Sequence, residues 1–241
     1  MRAAALVLVA LALGGCETTA EKSAQLEKAA LLKAKTHGAV AKAGLTVTSV
    51  SRKIRVLSAA IIPGKEGGAA VVTIANTSAG ALSGIPISID VKDSSGRTLY
   101  TNSAPGLSTS LASVASLPAH GTLTWVDDQI QGSGTPASVT ARVGEGSPVI
   151  GALPAVVVRE TAQNEEAGEA GAEGTVSNPS KVPQQELAVY AVARSGGRIV
   201  AAGRAVIPQV KAGATAHFQL FFVGSAKGAQ LQFAAPPTPA G

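Results

Sequence analysis

The residues able to do chemistry are few, and their spacing suits almost none of it. The 241-residue chain has three histidines, His37, His120 and His217, and one cysteine, Cys16. A disulfide within one chain is excluded, because a bridge needs two cysteines. Three separated histidines with no second thiolate do not make a zinc set. His120 lies near Asp127 and Asp128 with serines around it, the raw inventory of a Ser-His-Asp relay. No G-x-S-x-G elbow, S-x-x-K or H-E-x-x-H accompanies it, so His120 beside Gly121 reads as a turn residue. His217 alternates with Phe218 on an expected strand and should face solvent. Asp90, Asp93, Asp127 and Asp128 could offer oxygens to calcium. Asp93-Ser94-Ser95-Gly96 lacks the required ligand spacing, however, and reads as the start of a hairpin. Trp125, Tyr100 and Tyr190 could stack on a sugar only if several aromatics shared an exposed face. Trp125 shares a strand face with Leu123 instead, so it belongs in a core, as do Phe218, Leu220 and Phe222. The expectation is no catalytic residue, no cofactor, no cofactor-binding residue and no metal ligand.

Cys16 is the exception. Met1-Arg2 gives a positive start, residues 3–13 form an apolar run of eleven, and Leu13-Gly14-Gly15-Cys16 follows. Such a run fits a secretory signal core and is too short to cross a bilayer as a helix. The segment resembles the bacterial lipobox. That resemblance implies removal of residues 1–15 and a thioether-linked diacylglycerol on Cys16. Two or more acyl chains hold a protein durably on a membrane. The expected partner is therefore the membrane, through lipid on Cys16, and the expected location is extracytoplasmic, anchored to a bacterial membrane.

The formal net charge is +5, yet five glutamates (Glu160, Glu165, Glu166, Glu169 and Glu173) crowd one stretch. A basic body near a membrane keeps envelope proteins or acidic wall polymers as expected partners. Nucleic acid is excluded, since no basic run is interleaved with aromatics. Residues 16–44 are rich in Ala and Lys, and Thr18 with Glu21 forms a candidate capping box. The apolar stripe is thin: Leu26, Ala30, Leu31 and Ala34. We expect a helical or partly disordered tether, or a helix docked on the first domain.

Beyond residue 45 the period changes to two. Ile85, Ile87, Ile89 and Val91 alternate with Pro86, Ser88, Asp90 and Lys92, and Asp93-Ser94-Ser95-Gly96 turns the chain back. Further strands are expected at 54–62, 69–75, 107–115, 122–127 and 137–143. With 27 Gly and 13 Pro, and aromatics at only 3%, short strands between turns fit better than long helices. The second half repeats the plan. Asn76 in Thr73-Ile74-Ala75-Asn76-Thr77-Ser78 has its counterpart in Asn178 of Thr175-Val176-Ser177-Asn178-Pro179-Ser180. Gly96 and Gly197 mark matching hairpins. Asn76-Thr77-Ser78 has the form of a glycosylation acceptor, while Pro179 excludes Asn178; a shared turn explains both. The fold class expected is all-β, two tandem antiparallel immunoglobulin-like β-sandwich domains after a signal peptide and tether. The domains would cover residues 45–152 and 153–234, with an acidic loop at 160–174 and a proline-rich tail at 235–241.

The second copy, with Gly174-Thr175-Val176-Ser177-Asn178, Leu187-Ala188-Val189-Tyr190-Ala191 and the closing strand through Phe218, resembles the FxLYD-type immunoglobulin-like domains of bacterial lipoproteins. The Phe-x-Leu-Tyr-Asp signature itself is replaced by Leu187 to Ala191. The resemblance implies a folding pattern and carries no catalytic residues. The expected function is a non-enzymatic interaction or scaffold module of the cell envelope. The alternative is an accessory protein that binds or hydrolyses cell-wall polysaccharide.

Overall fold

The structure is a computed structural model that describes residues 18–35, 47–65, 67–104, 107–131, 134–166 and 169–239. The signal segment, Cys16 and His37 lie outside the described residues. Helix α1 (Thr19–Lys35) comes first. Its start is the expected capping box: the Thr18 N–H donates to Glu21 Oε2 (2.8 Å) and the Glu21 N–H to Thr18 Oγ1 (3.1 Å). Each partner satisfies an amide that the first turn leaves open.

The rest is all-β, every strand pairing antiparallel. The first half contains β1 (Ile54–Gly64), β2 (Gly67–Asn76), β3 (Leu82–Lys92), β4 (Thr98–Thr101), the one-turn α2 (Thr109–Ala112), β5 (Ser113–Leu117), β6 (Thr122–Ile130), β7 (Ser138–Val143) and β8 (Ser147–Pro148). The second half contains β9 (Val157–Glu166), β10 (Glu169–Ser177), β11 (Gln184–Ser195), β12 (Arg198–Val210), β13 (Thr215–Phe221), β14 (Val223–Gly224) and β15 (Gln230–Ala234). One sheet runs β1-β2-β6; its counterpart runs β9-β10-β13. The other sheets centre on β3, flanked by β4, β5, β7 and β8, and on β11, flanked by β12 and β15, with β14 beyond β12. Among the described residues no strand pairs between the halves.

The repeat is visible atom by atom. Buried Asn76 donates from Nδ2 to the carbonyls of Gly80 (2.8 Å), Pro118 (2.9 Å) and Leu117 (3.5 Å), and accepts on Oδ1 from the Ser78 N–H and hydroxyl. Buried Asn178 donates to Val182 (2.9 Å), Val210 (3.1 Å) and Lys211 (3.2 Å), and accepts from the Ser180 N–H and hydroxyl. Each amide ties a strand end to the turn that enters β6 or β13. The acceptor motif at Asn76 is thus spent on the fold.

Three expectations need correction. The segment 107–115 is not one strand: α2 occupies 109–112 and β5 begins at Ser113. The halves differ in length here, since Gly96 and Leu117 are 21 apart whereas Gly197 and Val210 are 13 apart. The extra residues split into β4, a loop and β5 what is the single strand β12 in the second half. Buried Asn102 fills the gap, accepting from the Ile89 N–H (2.8 Å) and donating to the carbonyls of Ile87 (2.9 Å) and Leu111 (2.7 Å). Its amide replaces the missing stretch of partner strand.

The stretch 160–174 is not a loop either, since β9 and β10 run through it, paired from Glu169↔Glu166 to Ser177↔Val157. Small residues explain why strands survive the charge. Ala170, Ala172, Gly174 and Val176 alternate with Glu169, Glu173 and Thr175, and Ala172 and Val176 are wholly buried.

The tether is a docked helix. It lies against β6 of the first half and β12 and β13 of the second, so it straddles the seam instead of resting on one domain. Its buried positions are Ala20, Ser23 and Glu27, whereas Leu26 is exposed. The polar face is turned inward.

The two halves share a core. On β11, Ala188, Tyr190 and Val192 pack with Ile74, Trp125 and the rest of the first-half core. The alternate residues Leu187, Val189, Ala191 and Ala193 pack with Phe218, Leu220 and Phe222 in a second core. The β11–β12 sheet is thus covered on both sides, and its neighbour β2 is buried along nearly its whole length. A glycine allows one of the close approaches: a Cβ on Gly203 of β12 would strike the Phe221 carbonyl. The tail crosses the seam as well. Ser116 Oγ donates to the Pro237 carbonyl (2.6 Å), and Gln184 accepts from the Thr238 N–H (2.7 Å).

Candidate functional site

Among the described residues, the most concentrated chemistry lies under α1, at the seam. It starts from a bulge. β2 and β6 are in register at Gly68↔Ile130 and Ala70↔Asp127, so β6 carries one residue more between these pairs. A bulge of this kind re-aims neighbouring side chains, and here two consecutive aspartates are both wholly buried. Asp127 Oδ2 accepts from the Tyr100 hydroxyl of β4 (2.9 Å), and its Oδ1 from the Gln129 N–H (3.0 Å). Asp128 Oδ2 accepts from the Ser23 hydroxyl of α1 (2.7 Å) and from the Arg204 N–H of β12 (2.9 Å).

Arg204 is the centre. Its guanidinium holds Glu27 with two hydrogen bonds, Nη2 to Oε2 at 2.6 Å and Nη1 to Oε1 at 3.3 Å. Nη1 also donates to Ser110 Oγ (2.7 Å). Nε lies 3.5 Å from Asp128 Oδ1, near enough for ion pairing but not aligned for a hydrogen bond, so both atoms are buried without one. Gln129 Nε2 donates to Glu27 Oε2 (2.5 Å). The Ser110 carbonyl accepts from Trp125 Nε1 (2.9 Å) and from the Tyr190 hydroxyl (3.4 Å). One helix, α2 and strands of both halves therefore meet on a single guanidinium.

One cation faces three carboxyls, and burial sets their protonation. Burial pushes Asp127 up to about 7, against the Gln129 amide, Arg204 and the Tyr100 hydroxyl. It raises Asp128 too, outweighing Arg204 and Ser23. Burial also works to raise Glu27, but adjacent Arg204, with Ser108 and Gln129, holds it below the usual carboxylate range. Arg204 would be disfavoured as a cation by burial, yet Glu27 and Asp128 more than restore it. Burial raises both the Tyr100 and Tyr190 hydroxyls, which stay protonated donors. The arrangement is a closed ion network. Both aspartates are 0% exposed and Arg204 3%, while Tyr100, Ser110 and Gln129 at the rim are half-buried.

The other sequence candidates are scattered. Asp93 closes its hairpin by accepting from the Ser95 N–H and hydroxyl and the Arg97 N–H, with Arg97 Nε on its second oxygen. Asp90 accepts from the Thr98 hydroxyl. His120 is exposed in a turn with φ of 53°. His217 faces solvent, 3.9 Å from Glu173. Trp125 is wholly buried. Among the described residues no group of His, Cys, Asp and Glu is placed to hold a metal. Glu27, Ser23, Ser110 and Arg204 were not singled out by sequence. A signal existed: Arg204 is the only charge between Ile199 and Val210, a stretch otherwise apolar up to Gln209.

No family model and no curated protein matches the chain. Among solved structures it is similar to the exo-chitosanase of Amycolatopsis orientalis at 17% identity and a TM-score of 0.27, over 76% of this chain and 26% of that one. The complex of a variant of that enzyme with PNP-beta-D-glucosamine gives 17% identity, 70% and 24% coverage and the same TM-score. The chain thus spans about a quarter of the enzyme's length. A likeness of this size carries no inference about function.

Proposed function

We propose that the protein is an extracytoplasmic lipoprotein, held to a bacterial membrane by diacylglycerol on Cys16, whose body is a non-enzymatic interaction or scaffold module of the envelope. We read each half as one immunoglobulin-like unit of the FxLYD type. The observation that carries the anchor is Leu13-Gly14-Gly15-Cys16 at the end of an apolar run, two residues before the capped start of α1. Support for a non-enzymatic body is the burial of the perturbed carboxyls, which serve one another and Arg204. Sites on such scaffolds are commonly built from loops. Among the described residues no helix is long and apolar enough to cross a membrane.

Intact mass of the membrane-extracted protein tests the anchor. A chain starting at Cys16 with a diacylglyceryl increment is expected; any other start, or no increment, refutes it. Capture of envelope proteins by the body tests the module reading. Saturable binding to, or turnover of, purified wall polysaccharide would replace that reading.

A further inference from the structure

We propose that the outward side of α1 is a bilayer-contacting surface, so that the body lies flat on the membrane instead of riding on a leash. The proposal rests on the reading of Cys16 as the anchor. A helix needed only to strap the seam would place its large apolar residues inward. Here Ala20, Ser23 and Glu27 are buried, whereas Leu26 is 42% and Leu32 54% exposed. Exposed Gln25, Lys28 and Ala29 accompany the leucines, with half-buried Lys22 beside them and Glu21 as the exposed acid. Lys22 reaches back so that Nζ lies 5.8 Å from the centroid of the Phe221 ring. Leucines beside an exposed lysine on an outward helix face suit a lipid headgroup boundary, the apolar side chains inserted and the Lys28 amine at the phosphates.

Connectivity chooses the bilayer over other partners. Cys16 precedes Thr18 by two residues, and successive Cα atoms are about 3.8 Å apart, so lipid on its sulfur brings the membrane within roughly 10 Å of the helix start. The helix cannot swing away, because Asp128 holds Ser23 and Arg204 holds Glu27. A helix of this length presents about 25 Å of surface beside that anchor. Were residues 17–46 a free coil, the body would instead sit on the order of 30 Å away.

The test uses the full lipidated chain in vesicles of phosphatidylethanolamine and phosphatidylglycerol. Lipid blocks the only native thiol, so Ala29→Cys and, separately, Ser95→Cys can each carry one fluorophore. Quenching by spin-labelled lipid should be at least threefold stronger at residue 29 than at residue 95. In the Leu26→Glu/Leu32→Glu background it should fall to the residue 95 level, with the circular dichroism spectrum unchanged. Equal quenching at the two sites in the native background overturns the proposal. So does protection of residue 29 through concentration-dependent dimers, which would assign the surface to a second copy. Mass of the same preparation reads Cys16 separately. Without the lipid increment the anchor reading fails, and the same labels in a Cys16→Ser background, read on vesicle-bound chain, still decide the surface.

Discussion

Arg204 is worth more in the breach than in the bond. A buried ion pair contributes little net stability, but removing one partner strands the other charge at a cost of about 3–5 kcal/mol. Arg204→Ala should therefore destabilise the protein by about that amount in urea melts, whereas Arg204→Met combined with Glu27→Leu and Asp128→Asn should recover most of it. Protonation gives a second handle. Asp127 titrates near 7 in the folded chain and near 3.8 without the fold, so the native state binds the proton more strongly. Its favourable contribution is complete below 3.8 and is lost as pH rises toward 7. Asp128 works in the same direction, while lowered Glu27 opposes them, its contribution vanishing only as pH falls below the usual carboxylate range. Melts should therefore show stability rising from pH 8 to about 5, and Asp127→Asn should flatten that slope. The sequence exposes these aspartates only as candidates for a Ser-His-Asp relay or for calcium. Alternation cannot show that a bulge turns both inward, nor that their cation stands 76 residues away.

At the scale of elements, the matched asparagine turns were the most legible feature, because a side chain that replaces backbone partners must recur with its spacing. They also supply an internal control. In the turn entering β6, His120 has φ of 53°, and the corresponding turn into β13 has Gly213 at 70°. A left-handed conformation costs a side-chain-bearing residue about 1–2 kcal/mol, and glycine returns part of this as flexibility of the unfolded chain. His120→Gly should raise stability by roughly 0.5–1 kcal/mol, seen as a higher melting temperature, and Gly213→Ala should lower it. Charge density at 160–174 points to a loop, whereas the alternation of small residues beneath it makes the hairpin β9–β10. Helix α1 and its docking are among the expectations, but its thin apolar stripe does not show that docking depends on Ser23 and Glu27 and reaches both halves. With so little apolar area beneath it, α1 should open at lower free energy than β11. Hydrogen exchange should find its amides exchanging well before those of Val189 to Ala193.

Across the whole molecule, the strands and their repeat were legible but the shared core was not. Period-two reasoning treats each half as a sandwich with a wet outer face. The contrary sign was the unbroken apolar runs Gly67 to Val72 and Leu187 to Ala193, which belong to strands covered on both sides. Because one core draws residues from both halves, calorimetry should record one cooperative transition, with calorimetric and van't Hoff enthalpies equal. Two separate transitions would mean that the halves are independent after all. The same sandwiching of β11 governs the birth of the chain. The β1-β2-β6 sheet is made first, and its apolar back, Ala69 to Val72, waits for a lid that has not been synthesised. At about 5–20 residues per second the remaining second half takes roughly 4–17 seconds to arrive. Through that interval the emerging first half is adhesive, and a chain terminated near residue 150 stays so permanently. A chain ended near residue 150 should therefore scatter light as it aggregates, where the full-length protein stays dispersed.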